Sequence, residues 1–188
     1  MLEIINKNNI KDEDVSETNS KARVILKDEY GNIMISNYGG VFLFPGGSIE
    51  QGEDPYLAII RELKEETGID YKIGDLEELA VLEHFQYNYP KRDGNITNRK
   101  ITTYYFYGKS KGIDYNHLNL TDGEKKDHFY SLFISKDELL DLIEVPTSTN
   151  PRYKYFKEEI EHILNIYDET LKIKKQVVRE RKQKKEDQ

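Results

Sequence analysis

Glu62, Glu65 and Glu66 are three carboxylates at offsets 0, 3 and 4 in the run Arg61-Glu62-Leu63-Lys64-Glu65-Glu66. On a helix that spacing places them on one face, where like charges repel unless a cation sits among them. Carboxylate oxygens favour hard ions such as Mg²⁺, Mn²⁺ or Ca²⁺, and Mg²⁺ with retained waters is the usual apparatus for holding a polyphosphate. Just upstream, Gly46-Gly47 forms a turn whose backbone can approach a metal or a phosphate closely. An acidic run standing alone reads more simply as a solvated helix face, with Arg61 and Lys64 offsetting part of its charge. Here the glycine turn, Glu53, Arg61 and the signals for both helix ends fall in register with the carboxylates, which favours the metal reading.

The carboxylates need a helix to hold them, and its ends are written locally. Asp54 suits the N-cap, Pro55 the first helical position and Gly68 the left-handed position that stops a helix, so the helix should run over residues 55–67. Tyr56, Ile59, Ile60 and Leu63 form its apolar stripe, and Ala58, one turn before Glu62, leaves space beside it. Alternation predicts strands over residues 22–27 and 33–36 around a Tyr30-Gly31-Asn32 turn, and a short strand over 41–44 leading into the glycine turn. A leading strand at residues 2–5 is also compatible with the pattern. Longer strands are expected over residues 76–89, with Val81, Glu83, Phe85, Tyr87 and Tyr89 on one side, and over 100–108, joined by a loop at residues 90–95. A strand over 129–134 follows. Ser135-Lys136-Asp137-Glu138 has the form of a capping box opening a helix to residue 143. A last helix starts at Asn150-Pro151, carries Phe156, Ile160, Ile163, Leu164, Tyr167 and Leu171 at helical spacing, and ends in Lys/Arg/Gln repeats expected to fray. The pattern is α/β (α+β): an α/β/α sandwich around a mixed sheet with an added C-terminal helix. Its divisions are an N-terminal extension at 1–20, the main domain at 21–150, and a helix with a basic tail at 151–188. That helix packs on the same domain or on a second copy in a homodimer.

From Gly47 to Ile69 the chain reads Gly, five free residues, Glu53, seven free residues, then Arg-Glu-Leu-x-Glu-Glu-x-Gly-Ile, with every constrained position filled. This resembles the Nudix box, and Phe44-Pro45-Gly46-Gly47 and Ala58 agree with it. The resemblance implies a Nudix fold and divalent-metal-dependent (Mg²⁺ or Mn²⁺) hydrolysis of the pyrophosphate bond in a nucleoside diphosphate linked to another moiety. It makes Glu62, Glu65 and Glu66 metal ligands, with the Gly46 carbonyl as an additional one. It makes Glu53 and Arg61 an ion pair that orients the glutamates. Water attacking phosphorus needs a base, which in this family is a box glutamate or a carboxylate from a later loop. Glu124, in Asp122-Gly123-Glu124, is the candidate for the latter. A 5′ pyrophosphohydrolase acting on RNA, with the basic tail as the contact, and a non-catalytic nucleotide-sensing module are the alternatives. A prenyl-diphosphate isomerase is disfavoured, because that chemistry usually recruits a cysteine.

Composition narrows the setting. The chain of 188 residues has no Cys, which fits a reducing cytoplasm, and neither a signal peptide nor a membrane span is expected. Its net charge of −7 argues against a general nucleic-acid binder and for a small-molecule partner. Residues 171–188 carry eight Lys/Arg against three Asp/Glu, a net of +5, so the remainder stands at −12. Lys91, Arg92, Arg99 and Lys100 are placed to reach a distal phosphate, and Tyr87, Tyr89, Tyr105 or Tyr107 to stack on a base. Exposed charge and half-buried packing are the plainer readings of both groups. His84, His117, His128 and His162 lack metal spacing and are expected to be structural or on the surface.

Overall fold

The sheet is organised around a strand that is buried on both faces. In β2 (Glu17–Lys27), Ala22, Arg23, Val24, Ile25 and Leu26 are all shielded from solvent, the pattern of a central strand covered on two sides. The computed structural model describes residues 1–145 and 150–186. Residues 146–149 and 187–188, parts of the expected main domain and basic tail, lie outside the described residues. The other strands are β1 (Leu2–Ile5), β3 (Ile33–Tyr38), β4 (Val41–Leu43), β5 (Gly46–Ser48), β6 (Leu76–Pro90), β7 (Ile96–Lys109) and β8 (Tyr130–Ile134). Their order is β1-β6-β7-β2-β3-β4, with β5 added on β2 and β8 on β3. β1 runs parallel to β6 and β2 parallel to β7, while the other pairings are antiparallel, so the sheet is mixed as expected.

Helices cover both faces. α1 (Pro55–Thr67) packs Ala58, Ile59 and Leu63 against Ala22, Val24, Leu26 and Phe106. On the opposite face, α3 (Lys136–Glu144) and α4 (Tyr153–Glu186) bring Leu139, Ile143, Ile160, Ile163, Leu164 and Tyr167 to Ile25, Ile33, Ile35, Leu82 and Tyr105. This is the expected α/β/α sandwich. The local signals operate as read. Asp54 accepts the backbone N–H groups of Tyr56 and Leu57, Gly68 ends α1 at φ 73°, and Ser135 and Glu138 form the capping box of α3.

Four details differ from the alternation pattern. β2 starts at Glu17, because residues 17–20, though poorly patterned, pair with Arg99–Thr102 of β7. Gly46-Gly47 lies within β5 rather than in a free turn, paired with Ala22 and Arg23. A bulge between Gln86 and Tyr89 turns Tyr89 away from its exposed neighbour Tyr87 and into the interior. The basic repeats do not fray. α4 continues to Glu186, with its last fully buried side chain at Tyr167, and beyond it Lys174 still reaches Glu77 and the Tyr107 hydroxyl.

Because Ile163 is completely buried between α4 and the sheet, Ile163→Ala should cost about 2–5 kcal/mol in urea unfolding. Lys174→Ala, at an exposed ion pair, should cost less than about 1 kcal/mol in the same assay.

Candidate active site

β2 changes neighbours along its length. Lys27 pairs with Ile33 of β3, whereas Lys21, Ala22 and Arg23 pair with β5. Beside this fork lies a cavity of about 1040 Å³, bounded by β2, β5, β6, β7, α1, α4 and the short helix α2 (Asp122–Lys126). Glu62, Glu65 and Glu66 reach it from α1, and Gly46 and Gly47 reach it from β5.

β5 requires glycine twice, once against β2 and once against α1. Gly46 has φ 125°, and a Cβ there would strike the Ala22 backbone oxygen. A Cβ on Gly47 would occupy the space of the Glu62 carboxylate. With both side chains absent, the Gly46 N–H donates to Glu66 Oε2 at 3.0 Å.

Arg61 gathers the acidic groups. Its Nε and Nη2 grip the two Glu53 oxygens at 2.9 and 3.0 Å, and Nη2 also donates to the Ser48 carbonyl at 3.0 Å. Nη1 donates to Glu62 Oε1 at 2.9 Å and stands 3.6 Å from Glu65 Oε2. The expected Glu53–Arg61 pair is thus a bidentate clamp. Among the described residues no three acidic or imidazole side chains converge as a preformed coordination set. The reason is visible in these contacts: the guanidinium draws Glu62 and Glu65 to itself while Glu66 is held by Gly46. The three residues still share one helical face, so side-chain rotation alone brings their carboxylates together.

The electrostatics fit a cation. Burial raises Glu62, against the pull of Arg61, and the charges of Glu65 and Glu124 add to the rise. Burial pushes Glu66 well above the usual carboxylate range despite the Gly46 N–H, and Glu62 and Glu124 push the same way. The donors are all oxygen, the negative charge is only partly offset by Arg61, and backbone lies against the carboxylates, as a hard divalent ion requires. Glu124 lines the cavity, but from a helix rather than a loop. Its Oε2 accepts the Thr121 backbone N–H at 2.6 Å and the Thr121 hydroxyl at 2.8 Å. The Thr121-x-x-Glu124 spacing is itself a capping-box signal that foretells this short helix.

The rest of the cavity mixes apolar and polar groups with several cations, most of which no sequence pattern points to. Lys21, Arg23, Gln86, Arg152 and Glu159 all line it. Arg23 is 4% exposed and donates to the Phe44 carbonyl at 2.6 Å. The clue in the sequence is an arginine at an inward position of a Val/Ile-rich strand, where a charge must have a reason to be buried. Of the four cations expected near a distal phosphate, Lys91 is paired with Glu17, Arg92 with Asp127 and Lys100 with Asp12. Arg99 has no carboxylate partner among the described residues. It stacks 3.2 Å from the Tyr89 ring centroid and donates to Gln86 at 2.6 Å. Tyr105 and Tyr107 are buried, so neither is open to a base. His84 is structural: burial opposes its charge, but Glu158 and Glu159 of α4 hold it raised.

The family model for the NUDIX domain matches residues 17–160, a span that includes every residue lining the cavity. The chain belongs to the Nudix family. An 8-oxo-dGTP diphosphatase from Proteus vulgaris is 34% identical over 74 residues, covering 36% of this chain and 62% of that protein. An RNA pyrophosphohydrolase from Vibrio vulnificus is 37% identical over 73 residues, covering 33% of this chain and 41% of that protein. The matched stretches thus span less than two thirds of these Nudix relatives. A solved Nudix hydrolase from Nitrosomonas europaea superposes with a TM-score of 0.57 at 14% identity, covering 82% of this chain and 90% of that one, which shows the shared fold.

Glu66 also yields a pH prediction. Its folded value lies above the ordinary 4.5, so the folded state holds the proton more tightly. Stability of the metal-free protein should therefore fall as pH rises from 4.5 through the folded value. Glu66→Gln should flatten that decline. Denaturant unfolding in EDTA between pH 4 and 8 checks this, and equal slopes in both proteins would contradict it.

Proposed function

We propose that this Nudix protein is a divalent-metal-dependent pyrophosphohydrolase acting on a nucleoside diphosphate linked to another group, or on a related organic pyrophosphate. The observation that carries the reading is the placement of Glu62, Glu65, Glu66 and Gly46 on one wall of the cavity, beside the Arg61–Glu53 clamp. In this reading the three carboxylates and the Gly46 carbonyl hold Mg²⁺ or Mn²⁺. A bound ion supplies charge neutralisation on phosphate oxygens and lowers the pKa of a water.

The chain's own groups do the remainder. Arg61 is a positioning residue: it fixes Glu53 against β5 and keeps Glu62 and Glu65 oriented, without touching the substrate. Glu66, raised by burial, is suited to take a proton from the attacking water, and Glu124, whose charge is felt at both Glu62 and Glu66, is the second candidate base. Arg23 steadies the wall by bonding the Phe44 and Gly46 carbonyls at 2.6 and 3.4 Å. The absence of cysteine supports a cytoplasmic setting. Among the described residues no helix is long and apolar enough to cross a membrane.

The second reading is removal of 5′ pyrophosphate from RNA, favoured by the basic helical arm at the end of α4 and by the likeness to an RNA pyrophosphohydrolase. Deleting residues 172–188 separates the two, since a small-molecule enzyme keeps its rate and an RNA enzyme loses it.

The deciding assay follows product formation with Mg²⁺ or Mn²⁺ over nucleoside triphosphates, ADP-ribose, nucleotide sugars, dinucleoside polyphosphates, NADH and 5′-triphosphate RNA. Glu65→Gln/Glu66→Gln should lose more than the roughly 10–100-fold that outer-shell residues cost at metal sites. Nucleotide binding with no turnover of any substrate would instead indicate a sensing module.

A further inference from the structure

Lys21, Arg23 and Arg99 lie along one wall of the cavity with no carboxylate partner among the described residues. Of the other cations lining the cavity, Arg61, Lys91 and Arg92 pair with Glu53, Glu17 and Asp127, and Arg152, off the β2–β7 ladder, donates to the Pro90 carbonyl. Among the described residues Arg23 bonds carbonyls, and Arg99 bonds Gln86 and the Tyr89 ring, with the charge of Glu17, itself paired with Lys91, nearby. Burial lowers Lys21 to about 8, and the charges of Arg23 and Arg99 push it further down. Lys21 thus stands within the fields of both arginines. The carboxylate whose field reaches all three is Glu159, and it is already engaged by Tyr105 and His84. Buried cations of one sign are costly unless an anion joins them.

Their spacing bears on which anion. In the parallel β2–β7 ladder, Arg23 is level with Tyr105, Lys21 with Thr103 and Glu17 with Arg99. At about 3.3 Å per residue the Cα positions of Arg23 and Arg99 differ by roughly 20 Å along the strands. Arg23 adjoins Gly46, at the acidic end. Arg99 lies at the other end, beyond Ile101 and beside Tyr89. A pyrophosphate held at the glutamates serves Arg23 and leaves Arg99 without an anion.

We propose that Lys21 and Arg99, continuing from Arg23, bind a phosphate of the substrate well beyond the bond that is cleaved, so that the substrate class is a pyrophosphate carrying an additional phosphate at its far end. The assignment rests on reading this cavity as a pyrophosphohydrolase site. Arg99 supplies the planar fork suited to phosphate, oriented by Gln86 and the Tyr89 ring, and Lys21 supplies a mobile point charge.

The test has a binding arm and a turnover arm. In the binding arm, inorganic tripolyphosphate is titrated calorimetrically in EDTA into the wild type, Glu65→Gln/Glu66→Gln, Lys21→Gln, Arg99→Gln and Arg99→Lys, each checked for folding by circular dichroism. Wild type and the glutamate double variant should bind. Lys21→Gln and Arg99→Gln should each weaken binding about tenfold or more, with Arg99→Lys between them and the wild type. Lys21→Gln, on a different strand from Arg99, keeps the test open if Arg99→Gln fails to fold. In the turnover arm, pairs differing by one phosphate remote from the pyrophosphate are compared with Mg²⁺: NADPH with NADH, and coenzyme A with its dephosphorylated form. The phosphorylated member should have the higher kcat/KM, and Arg99→Gln or Arg99→Lys should shrink that ratio. Binding unchanged in Lys21→Gln and the Arg99 variants, or a preference that survives them, overturns the proposal. Arg99-dependent binding without hydrolysis of anything upholds the anion site and overturns the enzymatic reading instead.

Discussion

The structure around the cavity depends on one guanidinium. Arg61 ties the backbone of β5, through Ser48, to Glu53 before the helix and to Glu62 and Glu65 on it. Without that cation, the acidic face of α1 would stand against β5 as bare repulsion. With it, repulsion becomes a clamp whose geometry is set by a planar fork, so lysine could not replace it. Gly47 follows from the same constraint, because the clamped Glu62 carboxylate leaves no room there for a Cβ, whereas Gly46 is held by its close pairing with β2.

That constraint explains why the acidic end of the site was legible in the sequence and the basic end was not. The clamp, the carboxylates and the helix ends all lie within one continuous stretch, where spacing along the chain is spacing in space. Asp54 and Gly68 therefore stand where capping rules put them, and Glu53 and Arg61 pair as the family resemblance implies. Lys21, Arg23, Arg99 and Glu159 come from three distant segments and meet only because β2 and β7 run parallel and α4 folds back across them. No periodicity encodes that meeting. The sandwich itself was readable from its strands and helices. The bulge that turns Tyr89 inward was not, since alternation carries no sign of a register shift. Glu124 lies between these cases: Thr121 signals the short helix, but only the fold brings it within reach of Glu62 and Glu66.

The cavity carries charges of both signs, gathered on different walls. Glu62, Glu65, Glu66 and Glu124 crowd one wall, and Lys21, Arg23 and Arg99 follow the floor away from it. Each set is strained by its own repulsion, and each is relieved by the opposite kind of ligand. A molecule with metal-bound phosphates at one end therefore satisfies the protein as much as the protein satisfies it.

The length of α4 has an electrical consequence. From Tyr167, its last fully buried residue, to Glu186 the helix runs on for about 28 Å at 1.5 Å per residue. That exceeds several times the screening distance of about 8 Å at physiological salt. The arm's surplus of positive charge and the body's deficit thus do not cancel, and each presents its own sign to whatever approaches. At this distance the molecule behaves as two separate ions on a rod, and its formal charge of −7 describes neither of them.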